Sequence, residues 1–178
     1  EGVVISYATL KTRVGLMMVG ATERGICFSE IGSSKKNLLE GLRAECNRAQ
    51  IAPLQLPRQR KIARWIDALR RHLAAEQRLL ELPLDLDATA FQIRVWTTIQ
   101  SIPYGEVQSY GEIAAAIGKP GAARAVARAC ASCPLTFIIP CHRVIRESGA
   151  VSGFGPGVER RRKLLKLERT TSTARVPR

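Results

Sequence analysis

Residues 109–131 decide the fold of the second half of the chain, and their sequence is SYGEIAAAIGKPGAARAVARACA. Ser109 followed three residues later by Glu112 is typical of a capping box at a helix start, and Gly118 predicts where that helix ends. A second helix follows the turn at Lys119-Pro120-Gly121. Two short helices joined in this way predict a helix-turn-helix, and an ordinary packed helix pair is the alternative.

The second of these helices is built almost entirely from alanine, with Arg124 and Arg128 as its long charged side chains. The two arginines lie one turn apart, and Ala123 and Ala127 leave a small, cationic surface beside them. Few of its side chains can read base edges, but the helix can approach the sugar-phosphate walls closely. We therefore predict that these four residues contact double-stranded DNA in the minor groove with little sequence preference. Tight packing of a small helix in a bundle is the alternative.

The 178-residue chain is strongly basic, since 28 Lys and Arg against 15 Asp and Glu leave a net charge of +13. Such an excess points to a polyanion or an anionic membrane surface as partner. No apolar run approaches the roughly 20 residues that cross a bilayer, so we expect a cytoplasmic, DNA-associated protein.

Five cysteines at irregular spacing fit reduced thiols, and two histidines exclude multi-histidine metal sites. Nothing demands a dimer, and we expect a monomer.

The first half of the chain has the pattern of a small α/β domain. Its apolar runs at 3–7, 16–19 and 26–28 are separated by glycines and predict a short antiparallel meander. Ser34 precedes one predicted helix, and residues 58–73 carry an apolar stripe opposite several arginines, which predicts a basic amphipathic helix. His72 lies near the end of that helix, where a lone histidine is expected at the surface or as a cap.

The boundary between the two halves is predicted at Leu82-Pro83-Leu84-Asp85, because Pro83 interrupts any helix. Thr89 and Gln92 then form a second capping-box pattern, which predicts a new helix start. We therefore expect an α/β domain with a small antiparallel sheet over residues 1–84 and an all-helical domain over 85–169. Residues 170–178 lack periodicity and predict a frayed tail.

Cys141 is the candidate nucleophile. It follows the β-like run Leu135–Ile139 in the sequence Pro140-Cys141-His142-Arg143. A thiol attacks as thiolate, and a neighbouring imidazole, a cation or the turn after Pro140 would lower its pKa. Adjacent side chains in an extended strand point in opposite directions, so His142 would reach Cys141 through a water or a bent backbone. A buried structural cysteine is equally compatible with this spacing.

Glu168 is the candidate third member of the site. The last predicted helix turns Leu164 and Leu165 inward, and Glu168 shares their face. An inward carboxylate needs a partner, which an imidazolium or an arginine would supply. A Cys-His-Glu relay would orient the histidine as in other nucleophile-base-acid sets. A glutamate turned to solvent at the helix end is the alternative.

Cys130 and Cys133 form a C-x-x-C motif, which is found in both zinc and redox sites. The nearest further ligands are Cys141 and His142, which the nucleophile hypothesis already uses. The pair also lies at the end of a helix, whereas redox pairs of the thioredoxin type begin one. We therefore predict neither a metal nor a cofactor.

The run from Ile138 to Val144, IIPCHRV, resembles the active-site motif of the O6-alkylguanine-DNA alkyltransferases. The likeness extends to further matches at Ser109-Tyr110, Gly118-Lys119-Pro120, Ala123-Arg124-Ala125-Val126, Ser152-Gly153-Phe154 and Leu164-Leu165 before Glu168. The stretches Glu23-Arg24-Gly25-Ile26-Cys27 and Leu82-Pro83-Leu84-Asp85 resemble more closely the alkyltransferase half of the adaptive-response proteins of the Ada type. Cys133 stands where the family usually has an asparagine.

The resemblance implies a ribonuclease-H-like N-terminal domain and a helical C-terminal domain with a winged helix-turn-helix. It implies that Cys141 accepts the alkyl group, that His142 acts as base through a water, and that Glu168 orients His142. Tyr110 would hydrogen-bond the flipped O6-alkylguanine, and Arg124 would fill the gap left in the base stack. The implied pocket is lined by Val144, Ser152 and Phe154.

These features predict direct DNA repair by single-use transfer of an alkyl group to Cys141. The product is a thioether that water does not cleave, so the protein would be consumed, and no cofactor is required. The alternative is a non-catalytic helix-turn-helix module that binds alkylated DNA or regulates transcription. The presence of the Cys141 thiol favours the enzyme.

Overall fold

A four-stranded sheet forms the first part of the computed structural model, which describes residues 2–74, 80–151 and 156–173. The strands are β1 (Val4–Thr12), β2 (Gly15–Ala21), β3 (Ile26–Gly32) and β4 (Gln50–Pro53) in the order β3-β2-β1-β4. The predicted antiparallel meander β1–β3 is confirmed. The prediction of an antiparallel sheet is wrong for β4, which pairs in parallel with β1. Helix α1 (Lys35–Glu45) provides the crossover that parallel pairing requires.

The core of this sheet forms where α1 packs on one of its faces. Ile5, Met18 and Phe28 come from three neighbouring strands, and Leu38 and Leu42 come from one face of α1. Ser34 caps the helix by accepting a hydrogen bond from the Asn37 backbone N–H at 3.2 Å, as its sequence pattern predicts. The basic helix α2 (Arg60–Leu73) buries Ile62, Ile66 and Leu69, whereas its arginines at 60, 64, 70 and 71 are exposed.

The predicted extended segment around Pro83 lies along the start of β3. The Ile26 N–H donates to the Pro83 carbonyl at 2.8 Å, and the Asp85 N–H donates back to the Ile26 carbonyl at 2.9 Å. Gly25 permits this approach, because a Cβ there would lie 2.5 Å from the Pro83 oxygen.

The run Leu135–Ile139 is not the continuous strand that its apolar sequence predicts. Ser29 in β3 exchanges backbone hydrogen bonds with Pro134 and Thr136 at 2.8 and 2.9 Å, and the chain then turns at Phe137, whose φ is +73°. The Phe137 ring lies 5.7 Å from His72, edge to face. His72 is therefore buried, at 8% exposure, and the surface position expected for it is wrong.

The chain divides into two compact units, with residues 1–87 and 134–138 in the first and residues 88–133 and 139–178 in the second. The boundary predicted from the sequence lies between residues 84 and 85. The segment 134–138 returns to the first unit after 46 residues of the second. No helix within the described ranges is both long and apolar enough to cross a membrane.

The second unit contains α3 (Ala90–Gln100), α4 (Tyr110–Ala116), α5 (Ala123–Ala131), a 3-10 helix (Cys141–Arg143) and α6 (Pro156–Thr173). It is not all-helical as predicted, because β5 (Gln108–Ser109) pairs in parallel with β6 (Val144–Ile145). Strands of two residues are too short to show a periodicity in the sequence.

Local signals in the second unit predict its helix ends well. Both capping boxes are present, at Thr89 with Gln92 and at Ser109 with Glu112. Gly118, with a φ of +74°, follows the end of α4. Helix α6 continues to Thr173, past the predicted start of a frayed tail at Thr170, and residues 174–178 lie outside the described residues.

Candidate active site

Cys141 lies at the start of the 3-10 helix, so the backbone at the candidate nucleophile is bent rather than extended. Its N–H donates to the Ile139 carbonyl at 2.7 Å, and the Arg143 N–H donates to the Pro140 carbonyl at 2.9 Å. A 3-10 helix turns by about 120° per residue, which sends successive side chains in different directions. Cys141 is partly exposed, whereas His142 and Arg143 are buried.

Glu168 joins the two buried residues of this turn. It is 1% exposed, and its Oε1 lies 2.7 Å from His142 Nε2. Arg143 donates to both oxygens, from Nε to Oε2 and from Nη2 to Oε1, each at 2.9 Å. The predicted inward position of Glu168 is confirmed. An imidazole and an arginine were the two possible partners predicted for it, and it binds both. The structure thus brings Cys141, His142 and Glu168 into one site.

The charge state of this cluster follows from its contacts. Burial raises the pKa of Glu168, but hydrogen bonds from His142 and Arg143 outweigh it and hold that pKa at about 2. Burial lowers the pKa of His142, against the opposing hydrogen bond to Glu168. The site therefore contains a carboxylate and a neutral imidazole at pH 7. A carboxylate only accepts hydrogen bonds, so the imidazole proton is on Nε2 and the Nδ1 lone pair is the basic one.

Arg143 has a role that the sequence did not indicate. It was expected to act as a cation beside the thiol, but its guanidinium is bound by Glu168 and by the Ile102 carbonyl, to which Nη1 donates at 2.9 Å. It also lies 5.4 Å above the ring of Tyr104. Arg143 therefore fastens the loop after α3 to the Glu168 carboxylate. The one sequence signal for this role is that a buried carboxylate such as Glu168 must be paired with a cation or a hydrogen-bond donor.

The thiol of Cys141 is in contact with two other thiols. Hydrogen bonding with Cys130 and Cys133, together with burial, raises the pKa of Cys141 well above its ordinary value. The expectation that His142, Arg143 and the turn would lower this pKa is therefore wrong for this structure. The thiol is neutral at pH 7, and an attack by Cys141 requires a base that removes its proton.

The β5–β6 pair connects the segments that contain Tyr110 and Val144. Ser109 pairs with Ile145 and Gln108 with Val144, and Tyr110 follows directly as the first residue of α4. Tyr110 and Val144 are both buried. The other two predicted pocket residues, Ser152 and Phe154, lie outside the described residues.

The candidate DNA-binding face of α5 is open. Arg124 and Arg128 are exposed and Ala123 and Ala127 are partly exposed, whereas the opposite face buries Val126, Ala129 and Cys130. Trp96 of α3 donates from Nε1 to the Ala129 carbonyl at 3.0 Å, which anchors that buried face. The four predicted DNA contacts therefore lie on one accessible side of the helix.

Comparison with known proteins gives consistent matches. Residues 90–170 match the family described as 6-O-methylguanine DNA methyltransferase, DNA binding domain. Over 94% of its length the chain is 41% identical to the bifunctional transcriptional activator/DNA repair enzyme Ada of Escherichia coli, and it spans 46% of that protein. It is 48% identical, over 65% of its length, to the methylated-DNA–protein-cysteine methyltransferase of Mycolicibacterium paratuberculosis, of which the match covers 70%.

Solved structures agree with these matches. The crystal structure of Mycobacterium tuberculosis O6-methylguanine methyltransferase is similar with a TM-score of 0.76 at 34% identity, and the match covers 98% of this chain and 96% of that one. The crystal structure of Mycobacterium tuberculosis OGT in complex with DNA is similar with a TM-score of 0.73 at 34% identity, covering 93% of each chain. The mixed α/β architecture described above is therefore one that solved methyltransferases share.

Proposed function

Because the chain belongs to the O6-methylguanine-DNA methyltransferase family, we propose that it repairs DNA by moving the alkyl group of O6-alkylguanine irreversibly to its own Cys141. The observation that carries this proposal is the buried His142–Glu168 pair, 2.7 Å apart, directly after the partly exposed cysteine. A nucleophile followed by an oriented, neutral base is what thiol activation requires.

The proposed reaction begins with loss of the Cys141 proton. Glu168 holds the Nε2 proton of His142, so Nδ1 is the acceptor, and a water relays the proton from the thiol. The thiolate then attacks the alkyl carbon; the S–C bond forms while the C–O bond to guanine breaks. The leaving guanine takes a proton from the Tyr110 phenol. Val144, Ser152 and Phe154 would line the pocket that receives the base.

The raised pKa of Cys141 fits a protein that reacts once. A neutral thiol reacts slowly with stray electrophiles, whereas a standing thiolate would be consumed by them. Binding of the substrate would then have to bring the base and the thiol into productive contact. The irreversible product is a thioether, so each molecule repairs one lesion and needs no cofactor.

DNA is the proposed partner. Helices α4 and α5 would act as a helix-turn-helix, of the winged type, that lies in the minor groove of double-stranded DNA, with Ala123, Ala127 and Arg128 against the backbone. Arg124 would occupy the space of the flipped base. The complex of the M. tuberculosis relative with DNA and the net charge of +13 support this binding. The first unit would be a ribonuclease-H-like domain, and the protein would act as a monomer in the cytoplasm.

The decisive experiment is intact-mass analysis after mixing the protein with a duplex that contains one O6-methylguanine. We expect a gain of one methyl group, located on Cys141 by peptide mapping. The Cys141→Ser variant is the matched control, and it should gain no methyl while its DNA affinity stays within about tenfold, because phosphate contacts supply most non-specific binding. A methyl group on another residue, or none, would refute the proposal.

A non-catalytic DNA-binding module is the second candidate, because the exposed Arg124 and Arg128 of α5 would serve DNA binding whether or not Cys141 accepts an alkyl group. A protein of this kind would bind duplexes with O6-methylguanine more tightly than undamaged ones but leave the methyl group in place. Binding and transfer are therefore measured on one preparation. Binding without transfer would support the module.

A further inference from the structure

Two carboxylates bind Ser109, the residue that begins α4. Glu112 accepts the Ser109 backbone N–H at 2.6 Å, and its own N–H donates to Ser109 Oγ at 3.1 Å, which completes the capping box. The Ser109 hydroxyl proton is donated elsewhere, to Glu147 Oε1 at 2.6 Å. The capping box does not need Glu147, whose exposed side chain adds a second, charge-assisted contact to Ser109.

Glu147 also lies against Gly111, the residue that follows Tyr110. Gly111 lies so close to the Glu147 carboxylate that a Cβ added at residue 111 would overlap Oε1. Ser109 and Gly111 flank Tyr110 in the chain, and one carboxylate therefore contacts both. Tyr110 itself is buried. The Glu147 carboxylate therefore lies against the residues on both sides of Tyr110.

Glu147 belongs to the segment that carries the nucleophile. It follows β6 by two residues, and β6 follows the 3-10 helix of Cys141 directly. The ladder between β6 and β5 contains only two residue pairs, Val144 with Gln108 and Ile145 with Ser109. The bond from Ser109 to Glu147 adds a third connection between the cysteine turn and the start of α4.

We propose that Glu147 is a positioning residue, which holds the Tyr110 phenol in place relative to Cys141 through its contacts with Ser109 and Gly111. This inference rests on the proposed alkyl transfer. In that reaction the thiolate attacks on one side of the alkyl carbon while Tyr110 protonates the guanine that leaves on the other. A displacement with two such groups is sensitive to small errors in their separation.

Single-turnover methyl transfer tests the proposal. Glu147→Gln keeps the side chain's size but replaces a strong acceptor by a weak one, and we expect transfer at saturating substrate to slow by about tenfold. The slowing should be similar with a duplex and with free O6-alkylguanine base, and DNA affinity should be unchanged. Glu106→Gln is the control, because Glu106 is a similarly exposed carboxylate that lies in the preceding loop. A wild-type rate in Glu147→Gln would overturn the proposal.

A double-mutant cycle shows whether Glu147 acts through Tyr110. In a Tyr110→Phe background the phenolic proton is already absent, so Glu147→Gln should slow transfer no further. A merely structural glutamate would slow both backgrounds by the same factor, and that result would overturn the inference. The proposed function fails separately, if the wild-type protein transfers no methyl group in the same assay.

Gly111→Ala separates positioning from stability. The added methyl group displaces the Glu147 carboxylate, while alanine favours helix formation over glycine. We expect slower transfer with a Tm that does not fall. Transfer at the wild-type rate in a folded Gly111→Ala protein would contradict a role for the Glu147 contact.

Discussion

Replacing Glu168 by glutamine tests the buried charge cluster directly. Glutamine has nearly the same shape but no charge, so it leaves the buried Arg143 guanidinium without its counter-charge. The carboxylate is 1% exposed and accepts bonds from His142 and Arg143. Removing one partner of a buried ion pair is strongly destabilising because the other charge stays buried.

The expected loss follows from the pKa of Glu168, which is held at about 2 against an ordinary value of 4.5. At about 1.4 kcal/mol for each tenfold change in proton affinity, this difference corresponds to roughly 3 kcal/mol in favour of the ionised form. For a chain of this size, 1 kcal/mol shifts the Tm by about 2–4 °C. We therefore expect Glu168→Gln to lower the Tm of the protein by roughly 6–12 °C at pH 7.

The measurement is thermal and urea unfolding followed by the fluorescence of Trp96, which is buried in the second unit. The chain has two tryptophans, so a Trp65→Phe background isolates this signal. Glu159→Gln is the matched control on the same helix, since its pair with Arg162 is exposed and contributes less than about 1 kcal/mol.

The pH dependence gives a second check. Because the pKa of Glu168 is lowered by folding, its contribution is complete above pH 4.5 and is lost as the pH falls through about 2. The difference between wild type and Glu168→Gln should therefore be largest near neutral pH and disappear in acid. Equal stability at pH 7, or a difference that persists at pH 2, would refute the assignment of a buried, ionised Glu168.

His142→Ala should slow alkyl transfer by roughly 10²-fold or more, the usual effect of losing a general base, and a near-normal rate would remove His142 from the mechanism. Arg124→Ala should reduce repair of a duplex far more than reaction with free O6-alkylguanine base, which needs no flipping; equal losses would mean that Arg124 supports the fold. Arg128→Ala should weaken duplex binding modestly and flatten its salt dependence by about one unit; an unchanged slope would exclude a phosphate contact. Cys133→Ala removes a thiol that raises the pKa of Cys141, so the rise of the transfer rate with pH should move to lower pH; an unmoved midpoint would contradict that contact.

Features encoded by near neighbours were predictable from the sequence. The capping boxes at Thr89 and Ser109 span three residues each, and the structure contains both. The inward position of Glu168 followed from its helical spacing to Leu164 and Leu165. The parallel pairing of β4 with β1 could not be predicted from the sequence, because Gln50–Pro53 is short and its partner strand lies more than forty residues earlier in the chain.

The ionisation of Cys141 was predicted wrongly for a related reason. His142 and Arg143 are its neighbours in sequence, but the 3-10 turn directs both of them to Glu168. The groups that set the thiol's pKa are Cys130 and Cys133, which come from the end of α5 and just beyond it. Because the chain bends at Cys141, the residues that contact its thiol are distant from it in the sequence. The periodicity of the sequence does not predict such contacts.

The return of residues 134–138 to the first unit makes the order of synthesis matter. Until Pro134 and Thr136 leave the ribosome, the backbone N–H and carbonyl of Ser29 lack the partners that they have in the finished protein. At about 5–20 residues per second, the intervening segment delays these bonds by a few seconds. The last residue of the first unit, Ile138, therefore precedes Cys141 by only three positions, and a fragment that ends at Asp87 would carry a permanently unfinished β3 edge.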